Sequence, residues 1–70
     1  MSYSIYVRDL GKLRCSLPRL LAHSIDGRQA AKRMIRGILQ SFTDCGTDPI
    51  SDVNWFRDKD GLHELWVTPI

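Results

Sequence analysis

Seventy residues with 43% apolar and 26% charged side chains describe a small globular domain, near the lower size limit for a chain that folds without staples. Two cysteines, Cys15 and Cys45, are too few for a disulfide framework or a zinc site; reduced thiols are expected in preference to one bridge. The net charge of +2 is too small to demand a polyanionic partner, yet residues 1–43 carry +6 and residues 44–70 carry −4, which makes one pole attractive to acidic surfaces.

In "YSIYVRDLGKLRCSL", residues 3–17, polar and apolar side chains alternate once a turn is placed at Asp9-Leu10-Gly11. That register pairs Tyr3 with Leu17, Ile5 with Cys15 and Val7 with Leu13. One face then collects these six residues, and the other collects Ser4, Tyr6, Arg8, Lys12, Arg14 and Ser16. Pro18 ends the second strand. The stretch "RLLAHS", residues 19–24, reads either as an apolar connector or as a short further strand.

Asp26 is a good helix N-cap, with Gln29 three residues on as in a capping box; Ser24 competes for the role. The periodicity predicts a helix over about residues 27–43 with Ala31, Met34, Ile35, Ile38, Leu39 and Phe42 on one face. Gly46 is the expected residue after its last turn, and Pro49 prevents continuation. A polar connector around "TDPISD" follows.

The last segment, "NWFRDKDGLHELW", reads as a second hairpin. A two-residue Asp60-Gly61 loop pairs Trp55 with Trp66. A three-residue Lys59-Asp60-Gly61 loop pairs Trp55 with Leu65 and Val53 with Val67, and is preferred because it gathers four apolar residues on one face. The expected architecture is therefore α+β: a ββαββ domain spanning residues 1–70, whose two hairpins form one antiparallel sheet with one helix packed on one face.

With one helix available, the other sheet face stays open. It is expected to present Tyr6, Arg8, Lys12, Arg14, Phe56 and Trp66, in a mixture of rings and cations that suits a protein-binding hot spot or nucleobase stacking. Arg28, Lys32 and Arg36, at i, i+4 and i+8, form a basic stripe with Arg33 adjacent and no acidic partner at helical spacing. His23 and His63 share no ligand spacing with the cysteines or aspartates, so no metal or cofactor is expected. One helix on one sheet leaves little cleft for catalysis.

The function expected from these features is non-enzymatic. The chain would be a small regulator or inhibitor that occludes the surface of a larger protein with an acidic face. Compact inhibitors carried by bacteriophages and other mobile elements, anti-CRISPR proteins among them, share this size. Single-stranded nucleic-acid binding by the same open face is the alternative. No apolar run reaches membrane-spanning length and the N-terminus lacks a signal-peptide core, so a cytoplasmic location without membrane or small-molecule partners is expected.

Overall fold

The computed structural model describes residues 1–11 and 17–70. Among them, five antiparallel strands form one open sheet and one helix packs across it, an α+β arrangement. In chain order the elements are β1 (Ser2–Leu10), β2 (Arg19–Asp26), α1 (Arg28–Leu39), β3 (Asp44–Thr47), β4 (Asn54–Asp58) and β5 (Gly61–Pro69), and the strands lie in the order β2-β1-β5-β4-β3. The order is thus β-β-α-β-β-β and not ββαββ.

The first difference lies beside β1. Tyr3, Ile5 and Val7 are paired on both edges: with Ile25, Ala22 and Arg19 of β2, and with Pro69, Val67 and Leu65 of β5. The partner strand is "RLLAHSID", so of the two readings of residues 19–24 the further strand is the one formed, and exposed Leu17 stands outside it. Residues 12–16, where the expected second strand falls, lie outside the described residues. Two irregularities in the β1–β2 register, with Ser24 at φ 58°, put Leu21 and Ala22 on the helix-covered side together and hide the alternation in the sequence.

The helix begins one residue later than expected and differently. Asp26 is still a strand residue, opposite Ser2, so the corner falls to Gly27 at φ 95°, a conformation that costs glycine little. No side chain caps the helix. Leu39 ends it; the amides of Ser41 and Phe42 then bond three residues back, to the carbonyls of Ile38 and Leu39. Gly46, expected to close the helix, sits inside β3 opposite Trp55.

Ala31 and Ile35 of α1 pack on Ile5, Val7 and Leu65, the centre of the core, and Ile5 and Leu65 are 0% exposed. Ile38 and Leu39 flank this centre as the helical period requires, whereas Met34, assigned to the same face, is 44% exposed. Phe42 lies beyond the helix and stacks on Phe56, with ring centroids 4.1 Å apart.

The β4–β5 register is neither of the two weighed above. Asp58 pairs with Gly61 around a two-residue Lys59-Asp60 turn, so Trp55 faces Glu64 and Phe56 faces His63. The Asp60 amide donates to the Asp58 carboxylate at 2.9 Å, a side-chain closure that fixes the turn, and Gly61 takes φ 122° as the strand resumes. This shift of one residue exchanges the two aromatics. Phe56 goes to the helix side and Trp55 comes out to the open side.

Candidate functional site: the open sheet face

Facing is set by the pairings. Val7, Leu65 and Phe56 lie under the helix, so their strand neighbours Tyr6 and Arg8, Glu64 and Trp66, and Trp55 and Arg57 point to the other side. Tyr6 stands opposite Trp66 and the two rings stack, with centroids 6.2 Å apart and planes 20° from parallel. Arg8, opposite Glu64, donates to its carboxylate and holds its guanidinium 5.9 Å from the centre of the Trp66 ring. On the far side of Glu64 stands Trp55, whose indole lies against Gly46; a Cβ on Gly46 would come within 3.0 Å of the ring. Glycine in the short strand β3 therefore lets that indole lie close over the backbone. Arg57, beyond Trp55, bonds Asp44 of β3 at 3.2 Å.

Arg8, Glu64, Trp66, Trp55 and Arg57 line a groove of about 560 Å³ that also takes in Leu62 and, from the chain after β3, Asp48, Ser51 and Val53. Asp48 accepts the Ile50 amide at 2.9 Å, and that bond, with one from Ser51, holds its carboxyl below the usual range. The cationic groups facing the groove thus arrive with carboxylates attached: Arg8 with Glu64, and Arg57 with Asp44.

Of the residues expected on this face, Tyr6, Arg8 and Trp66 are there. Phe56 is not: it packs against Phe42 and His63 on the helix side. Lys12 and Arg14 lie outside the described residues. Trp55, expected in the core, belongs to the open face. The glycine opposite it was the available signal, since an unexplained glycine in a strand marks a close approach.

The basic stripe is divided. Arg28 and Lys32 both reach Asp52, at 3.4 and 3.9 Å, because the loop after β3 bends back with Asp52 at φ 59°. One carboxylate distant in sequence thus faces both cations, a partner that helical spacing does not supply. Arg33 and Arg36 have no ion-pair partner among the described residues and face outward.

A second cluster had no sequence signal. His63, with its side chain 14% exposed under the Phe56 ring, lies 2.6 Å from Asp9 through Nδ1 and 2.9 Å from Asp58 through Nε2. Both contacts are hydrogen bonds at once only when both ring nitrogens carry protons. Burial pulls the imidazole pKa down, but the two carboxylates outweigh it and leave the pKa above the ordinary 6.5. The His63 bond, with the Asp60 amide, holds Asp58 below the usual carboxylate range. Arg19 bonds the other oxygen of Asp9, so one chain of charges joins β2, β1, β5 and β4. The cluster includes no nucleophile, and its histidine is committed on both sides, so it reads as a clasp between strands.

Among the described residues no group of three or more His, Cys, Asp or Glu side chains is placed to hold a metal ion, and no helix is long and apolar enough to cross a membrane. No protein-family model, curated protein or solved structure matches the chain.

Proposed function

We propose that this chain is a non-enzymatic protein-binding regulator that acts by laying its open sheet face over a larger protein and occluding a functional surface there. One observation carries this reading: Tyr6, Trp55 and Trp66 gather on the sheet face that the helix leaves uncovered, around a groove whose arginines are already neutralised. Tryptophan, tyrosine and arginine are the residues that dominate binding hot spots. An inhibitor of the kind that phages and other mobile elements encode is the form of regulator this compact chain suits best.

Nucleic-acid binding is the competing reading, supported by the Tyr6–Trp66 stack and by outward-facing Arg33 and Arg36. Glu64 and Asp48 weigh against it, because a phosphate backbone in the groove would meet carboxylates as often as the cations Arg8 and Arg57. An acidic partner surface remains suited to Arg33 and Arg36 on the helix.

The test is affinity capture from a nuclease-treated extract of the source cells, with the parent and Trp66→Ala proteins immobilised side by side. The expected result is a protein retained by the parent and lost from the variant, with both columns carrying folded protein. Retention on both columns, or recovery of nucleic acid alone from untreated extract, overturns the reading.

A further inference from the structure

The groove contains one arrangement complete and a second one lacking a member. In the complete one, the Arg8 guanidinium stands over the Trp66 ring and donates to Glu64: indole, carboxylate and cation together. Across Glu64 the first two members recur. Trp55 supplies the indole, and Asp48 supplies a carboxylate that lines the same groove and has no ion pair among the described residues. The nearest cation on the strand, Arg57, is turned to Asp44, and no cation stands over Trp55 among the described residues. With Arg8 paired to Glu64 and Arg57 to Asp44, Asp48 is, among the described residues, the groove carboxylate without an ion pair.

We infer that the Trp55 side of the groove receives an arginine side chain of the partner protein, stacked on the Trp55 indole and paired with Asp48. This rests on the protein-binding reading above and names the chemistry of that partner. Arginine fits better than lysine because its planar, weakly hydrated guanidinium lies flat on an aromatic ring while its edge bonds a carboxylate. A nucleobase would satisfy the indole but bring a phosphate toward Asp48. An acidic side chain would meet the uncompensated charge directly.

The assay is a titration of intrinsic tryptophan fluorescence with blocked peptides alternating glycine with arginine. Matched peptides carrying citrulline or glutamate, and a short oligothymidylate, complete the set. The arginine peptide is expected to give a saturable change, and citrulline, which keeps the shape without the charge, to bind about tenfold weaker. Asp48→Asn keeps an oxygen for the Ile50 amide and removes the charge; it should weaken the arginine peptide several-fold while leaving citrulline binding unchanged. Trp55→Ala should abolish the response to both. Equal binding of arginine and citrulline peptides, indifference to Asp48→Asn, or no saturable response overturns the assignment. Capture by the parent column then leaves the protein-binding reading standing. Preference for the oligothymidylate overturns both.

Discussion

Replacing Phe56 and Trp55 separately by alanine separates the observed β4–β5 register from its neighbours. Phe56 sits between Phe42, at 4.1 Å, and His63, at 4.8 Å, on the helix-covered side and packs against the core. Deleting a buried phenylalanine costs about 3–5 kcal/mol, and because Phe56 is only half-buried we expect the lower end, about 3 kcal/mol. Trp55 lies on the open face against Gly46, in a cross-strand contact of the kind that contributes about 0.2–1 kcal/mol. Urea unfolding followed by circular dichroism should thus show a gap of about 2 kcal/mol or more between the variants. At about 4–8 °C per kcal/mol for a domain of this size, the melting temperatures would differ by about 8 °C at the least. A Trp55→Ala protein less stable than Phe56→Ala would show that the strand faces are exchanged and that the groove is not built as described.

Ile35→Ala should cost about 2–4 kcal/mol in the same assay, since Ile35 is 3% exposed at the centre of the helix–sheet contact; a change below about 1 kcal/mol would mean the helix rests on another face. Gly27→Ala should destabilise by about 1 kcal/mol or more, because φ 95° strains any residue with a Cβ although the space around it is open. A neutral result there would show that the corner turns elsewhere. The His63 clasp predicts a pH dependence. Its pKa is raised on folding, so its contribution is fully present below 6.5 and is lost as pH rises through the folded value. Asp58, lowered from 3.8, acts oppositely and loses its contribution as pH falls through its folded value. The parent should therefore lose stability relative to His63→Gln as pH rises above 6.5; parallel curves would show that His63 is not held as an imidazolium.

The helix and the interior strand β1 were legible in the sequence because each follows one period without interruption: Ala31, Ile35, Ile38 and Leu39 at helical spacing, and Tyr3, Ile5 and Val7 at strand spacing. Strand β2 was legible only as one of two readings of "RLLAHS", because its two irregularities put Leu21 and Ala22 on one side together. Strand β3 has four residues, one of them glycine, and nothing in "DCGT" competes with a turn reading until Trp55 is seen lying on Gly46. The last hairpin shows how little decides a register. Asp58 closes its turn through its own side chain, and a register one residue from the preferred one turns Trp55 to the groove and Phe56 to the helix side. Of the site itself, Tyr6, Arg8 and Trp66 were readable from alternation alone. The Asp52 pairings and the His63–Asp9 pairing were not, because they join residues far apart in the chain whose approach depends on the loop after β3 and on the sheet order.

The open face is the proposed contact surface, and site-specific photocrosslinking addresses it directly. A photoreactive benzoylphenylalanine replaces Trp66 in one protein and the outward helix residue Arg33 in another, and both are irradiated in extract of the source cells. A partner seated on the open face gives a discrete protein adduct from position 66, suppressed by excess unlabelled parent, and none of comparable yield from position 33. An adduct formed only from position 33, or one that nuclease digests, would contradict that seating.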